Sequence, residues 1–84
     1  MQNQEIEAMI EAGIPGSRVE VTGDDGTHFE ATIVSDEFSG KSRVQQHQMV
    51  YKALGAKMGN EIHALSIRTL TRAEWDDRQG LGTI

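Results

Sequence analysis

The chain has 84 residues, 37% hydrophobic and 25% charged, with a formal net charge of −5 and no cysteine. That length suits one small domain, 1–84, with a marginal core; the lack of thiols excludes disulfides, thiol catalysis and any thiolate metal cage built by this chain alone. The apolar runs are too short to cross a bilayer, and MQNQEIEAMIEAG lacks the basic start and apolar block of a secretory signal, so no membrane association and a cytoplasmic location are expected.

The charge is uneven. Residues 1–37 hold nine acids against Arg18, residues 38–60 hold Lys41, Arg43, Lys52 and Lys57 and no acid, and residues 61–84 are close to neutral. An acidic whole disfavours non-specific nucleic-acid binding, whose affinity comes mainly from phosphate attraction. The four bases leave room for a local contact, although four bases around a helix are more often its solvated face.

A first helix is predicted over 3–12, where Ile6, Met9 and Ile10 fall at i, i+3, i+4 with Glu5, Glu7 and Glu11 elsewhere on the wheel. Met9 reads as core filling, Gly13 as a C-cap and Ile14-Pro15-Gly16 as a stop. Arg18–Thr22 alternates as a strand with Val19 and Val21 inward, Gly23-Asp24-Asp25-Gly26 is a turn, and Thr27–Ser35 returns as a second strand. In that strand Phe29, Ala31 and Ile33 share the inner face, with His28, Glu30 and Thr32 outside. The turn lacks the further oxygen ligands of a calcium loop and the lysine of a phosphate loop.

Phe38 is expected to anchor the next connection, with Gly40 letting it turn. Ser42-x-x-Gln45 has the form of a capping box opening a helix. On its wheel Val44, His47, Val50, Tyr51, Leu54 and Met58 form the apolar stripe, which makes His47 a satisfied core histidine. Gly55 should break this helix into a long and a short piece, and Gly59-Asn60 should end it. Glu61–Leu70 then alternates as a strand, with Leu65 and Ile67 on one face and Ala64, Ser66 and Arg68 on the other. His63 stands at its entrance, and periodicity leaves two readings open: a packed residue at the edge of the core, or a metal-ligating or switching imidazole. Thr71-x-x-Glu74 caps a last helix that Trp75 anchors on the sheet, followed by a frayed tail at 79–84.

The predicted order is αββααβα. The strand–helix–helix–strand crossover calls for parallel pairing, hence an α+β fold with a three-stranded mixed sheet and helices packed on it. The segments Ser42-Arg43-Val44-Gln45-Gln46-His47-Gln48-Met49-Val50-Tyr51-Lys52-Ala53-Leu54, Ile62-His63-Ala64-Leu65-Ser66-Ile67 and Thr69-Leu70-Thr71-x-Ala73-Glu74-Trp75 resemble the BolA-like proteins. The hairpin Gly23-Asp24-Asp25-Gly26-Thr27-His28-Phe29 is most similar to their small bacterial, IbaG-like branch, and the likeness runs from about Ile6 to Trp75.

That resemblance implies a fold related to the type II K-homology domain. It also implies a non-enzymatic role beside a monothiol glutaredoxin, sharing a two-iron two-sulfur cluster in which glutaredoxin and glutathione supply thiolates. His63 would be one ligand from this chain and His28 the second, while the isolated protein would carry no cluster and be a monomer or a weak homodimer. Two features depart from the family pattern. Arg72 stands where proline is frequent, and Gly55-Ala56-Lys57-Met58-Gly59 has the wrong spacing for the Gly-x-x-Gly clamp of nucleic-acid-binding K-homology domains. The alternative is a DNA-binding transcriptional regulator using Lys41, Arg43, Lys52 and Lys57. Nothing defines a catalytic group, because Ser42 and Ser66 lack a nucleophile context and three histidines with scattered carboxylates do not compose one.

Overall fold

The structure is a computed structural model that describes residues 2–23, 28–59, 62 and 64–80. Helix α1 (Asn3–Gly13) is followed by strands β1 (Arg18–Thr22) and β2 (His28–Val34) and a 3-10 turn at Asp36–Phe38. Helix α2 (Arg43–Leu54), a second 3-10 turn at Gly55–Lys57, strand β3 (Ala64–Leu70) and helix α3 (Arg72–Gly80) complete the order. The sheet order is β1-β2-β3, with β2 antiparallel to β1 and parallel to β3. The α+β class, the mixed sheet and the parallel crossover therefore match expectation, the short second helix being a single 3-10 turn. Of the Gly23–Gly26 turn, Asp24, Asp25 and Gly26 lie outside the described residues, as do Met1, Thr27, Asn60, Glu61, His63 and 81–84. Of the tail placed at 79–84, Gln79 and Gly80 have helical backbone as the end of α3.

The core forms between the inner sheet face and the α1/α2 layer. Ile6 and Ile10 of α1, Val19 and Val21 of β1, Phe29, Ala31 and Ile33 of β2, and Val50 and Leu54 of α2 make one buried cluster. Phe38 is fully buried beneath the connection into α2, whose capping box forms as predicted: the Gln45 N–H donates to Ser42 Oγ and the Ser42 N–H donates to Gln45 Oε1. Gly55 ends α2 at φ +57°, a conformation that favours glycine. Edge strand β1 is covered where Glu7 Oε2 accepts from the Val21 N–H at 2.9 Å.

Two expectations are corrected. The buried stripe of α2 is Gln46, Val50 and Leu54, flanked by half-buried Met49 and Ala53, whereas Val44 is 66% exposed and Tyr51 42%. Buried Gln46 is satisfied on all sides: its Nε2 donates to the Phe38 and Lys41 carbonyls at 3.1 Å each, and its Oε1 accepts from the Thr69 hydroxyl. A polar side chain so paired can occupy a core position that hydrophobicity would give to Val44. Met58, placed on the same stripe, lies beyond α2 in an isolated bridge to Ile62.

Gly13 is the last residue of α1 rather than its cap, and Ile14, read as part of a breaker, is buried. Gly13 is small because α2 passes close by: a Cβ there would lie 2.9 Å from Ala53 Cα and closer still to Ala53 Cβ. At the other end of the sheet Arg18, Val34 and Leu70 are in register, and the Arg18 guanidinium lies over the Trp75 ring at 5.5 Å from its centroid, docking α3 as predicted.

Gly13→Ala gains about 1 kcal/mol of helix propensity but overpacks the crossing by about 1–3 kcal/mol. A lower urea midpoint at unchanged m-value is the expected result, partly restored by adding Ala53→Gly. The α3 capping box makes a second prediction. Glu74 Oε1 accepts from the Thr71 N–H at 2.7 Å, and this bond holds the Glu74 carboxyl below its ordinary value of 4.5, opposed by desolvation and assisted by the Thr71 hydroxyl and Arg43. Such a group stabilises above 4.5 and loses its contribution as the pH falls through the lower folded value. Protection factors of amides in the first turn of α3, corrected for intrinsic exchange, should therefore fall below pH 4.5, and Glu74→Gln should flatten that dependence.

Candidate functional site

Parallel pairing makes β2 and β3 begin at the same end of the sheet, and the register fixes how. His28 is the first residue of β2 and pairs with Ala64, the first of β3, at the spacing of neighbouring strands, about 4.8 Å. Ile62, two residues before Ala64, is fully buried; its N–H donates to the Lys57 carbonyl at 3.0 Å and its carbonyl accepts from the Gly59 N–H at 2.9 Å. Ile62 is thus tied down by two backbone hydrogen bonds, and Ala64 is paired in the ladder. His63 itself lies outside the described residues.

Beside this end is a cleft of about 610 Å³ whose walls include Asn3, Thr22, His28, Glu30, Ala64 and Ser66. Strand alternation puts His28 and Glu30 on the exposed face, and Ser66 stands opposite Glu30 in the ladder. Asn3 reaches the cleft from α1, its Nδ2 donating to the Gly23 carbonyl at 3.3 Å. Among the described residues lining the cleft, Glu30 supplies a carboxylate and His28 an imidazole. The donors are therefore an imidazole, a carboxylate, hydroxyls and an amide. The predicted placement of His28 beside the hairpin on the polar side agrees with this. Asn3, Thr22 and Ser66 gave no sequence signal, because a long-range register and a helix start bring them together.

The four bases do not share one face. Arg43 opens α2 and turns inward, its Nη1 donating to the Thr69 carbonyl at 2.6 Å and to Thr69 Oγ1 at 3.2 Å. Lys52 is exposed nine residues on, about 180° around the helix from Arg43 at 100° per residue. Lys41 is exposed in the preceding loop beside Asp36 and Glu37, and Lys57 is half-buried in the second 3-10 turn. His47, expected to be a satisfied core histidine, is half-buried between α2 and β3, and its buried Nε2 has no hydrogen-bond partner. The cause is again the rotation of α2 about Gln46.

Among the described residues no three His, Asp or Glu side chains converge as a metal cage, and no helix is long and apolar enough to cross a membrane. The fold and the sheet-end cleft define a small α+β protein with the His28 imidazole at one end of the sheet. Comparison with known proteins goes further. The family model described as "BolA-like protein" matches residues 8–74. The acid stress protein IbaG of Escherichia coli K12 is 41% identical over 76 residues, which are 89% of this chain and 89% of IbaG. A bolA protein homologue from Coxiella burnetii superposes with a TM-score of 0.82 at 40% identity, covering 90% of this chain and 97% of that one. The BolA domain of SufE1 from Arabidopsis thaliana superposes with a TM-score of 0.74 at 38% identity, covering 86% and 93%. The chain belongs to the BolA-like protein family.

Because Arg43 is bound to Thr69 and Lys52 is not, the two bases should behave differently. Arg43→Ala is expected to cost about 1–3 kcal/mol in urea denaturation, the range for a charge-assisted bond to a part-buried group. Lys52→Ala should stay within about 0.5 kcal/mol of the parent.

Proposed function

We propose that this protein is a non-enzymatic accessory factor of iron–sulfur and iron homeostasis that partners a monothiol glutaredoxin. In this reading His63 and His28 complete a two-iron two-sulfur cluster whose thiolates come from glutaredoxin and glutathione. The observation that carries it is the register His28–Ala64, which sets the residue following His63 directly across from His28. Neutral imidazoles can replace thiolates on one iron of such a cluster, so the donor set suits the group, and a chain without cysteine needs a partner to hold it. The same fold existing as one domain of SufE1 is in keeping with an accessory module.

When bound, the cluster supplies one-electron redox chemistry or iron and sulfide for transfer. This chain's part is to offer imidazole nitrogen at a fixed sheet edge and to wall one side of the site with the cleft beside His28. A DNA-binding role would draw on Lys41, Arg43, Lys52 and Lys57 and lose affinity steeply with salt. It has less support, since Arg43 is engaged by Thr69 and lies across the helix from Lys52.

The test is cluster reconstitution with a monothiol glutaredoxin and glutathione, followed by visible circular dichroism. Wild-type protein should change the spectrum of the glutaredoxin-bound cluster, His63→Ala should abolish the change, and His28→Ala should weaken it. An unaltered spectrum with wild type, or wild-type behaviour from His63→Ala, overturns the ligand assignment.

A further inference from the structure

The cleft at the start of β2 holds oxygen donors beside His28 that the cluster reading does not use as ligands. His28 and Glu30 are separated by one residue on the exposed face of β2, so their Cα atoms are about 6.6 Å apart and their side chains leave the same side. That is chelate spacing, because metal–nitrogen and metal–oxygen bonds of about 2.0–2.2 Å let one ion bridge two such side chains. Further oxygens line the same cleft: the hydroxyls of Thr22 and Ser66, and the amide of Asn3, whose nitrogen is turned to the Gly23 carbonyl. Among the described residues that line it there is no lysine or arginine; the nearest base in the ladder is Arg68, two residues beyond Ser66 on β3, which shares a neighbouring groove with Glu30.

We propose that His28 and Glu30 form a divalent transition-metal site of the isolated protein, with hydroxyl or amide oxygens of the cleft and water completing the coordination. Imidazole with carboxylate suits the borderline ions, Cu²⁺ first and then Zn²⁺ and Ni²⁺, rather than Mg²⁺ or Ca²⁺, which need more oxygen ligands. The site needs neither glutaredoxin nor cluster. It would compete with a cluster for the same imidazole, so the ion would have to leave before His28 could serve a partner.

The experiment is ¹H–¹⁵N NMR of the isolated protein with substoichiometric Cu²⁺, backed by calorimetry with Zn²⁺ and with Mg²⁺ as control. Paramagnetic broadening should begin at His28, Phe29, Glu30, Ala64 and Ser66, and Mg²⁺ should give no heat. Glu30→Gln should weaken Zn²⁺ about tenfold, and His28→Ala should abolish the localised broadening. Both side chains are exposed, so unchanged amide shifts in α1 and α2 would report an intact fold. Broadening centred on His47, or Zn²⁺ affinity indifferent to Glu30→Gln, overturns the site. Because no glutaredoxin is present, failure here leaves the cluster reading standing, and failure of cluster reconstitution leaves this site standing.

Discussion

The buried amide of Gln46 sets the orientation of much of the molecule. Its three hydrogen bonds tie α2 to the Phe38 and Lys41 carbonyls on one side and to Thr69 of β3 on the other. An unpaired amide in that position would cost about 1–3 kcal/mol per orphaned group, so the helix cannot turn about its axis without breaking the set. The rotation that satisfies Gln46 also directs Ala53 towards Gly13, carries Val44 and Tyr51 into solvent and brings Arg43 to the Thr69 carbonyl. One polar side chain thereby fixes the seat of α1 on α2 and the seat of α2 on β3.

That seating matters to function because the crossover from β2 to β3 runs through α2. With β3 held parallel to β2, both strands start at one end of the sheet, and the His28–Ala64 pair follows from the register. The buried cluster lies on the inner face, under α1 and α2, whereas His28, Glu30 and Ser66 stand on the exposed face of the strands. Changes to His28, Glu30 or Ser66 therefore leave the core untouched. Binding chemistry at the sheet's end can vary without loss of fold, the general advantage of placing a site at the edge of a rigid scaffold.

Where local physics decides the outcome, the sequence was legible. Alternation placed Val19, Val21, Phe29, Ala31 and Ile33 inward, and both Ser42-x-x-Gln45 and Thr71-x-x-Glu74 closed as capping boxes. Where long-range partners decide, it was not. Nothing local distinguishes a glutamine awaiting Thr69, 23 positions away, from a solvated one, so the wheel favoured Val44 and Tyr51 over Gln46. Gly13 invited a cap assignment because its real constraint, the approach of Ala53, comes from another helix. His28 was legible as an exposed strand residue, but its neighbours Asn3 and Ser66 emerge only once α1, β2 and β3 are assembled. His63 was marked by its flanking motif rather than by any periodicity, and it lies outside the described residues.

The donor set finally limits what this sheet end can do. Sulfide clusters of iron are held mainly by thiolates, and imidazole can take over only part of the coordination. With no cysteine anywhere in the chain, the cleft offers nitrogen and oxygen, the ligands of borderline mononuclear ions. A cluster at this edge would have to arrive with its sulfur ligands on another molecule, and the protein would enter as its complement. Dependence on a partner is then a property of composition: the fold supplies a firm mount and a basic nitrogen, and it withholds the soft ligands that would let the chain keep a cluster alone.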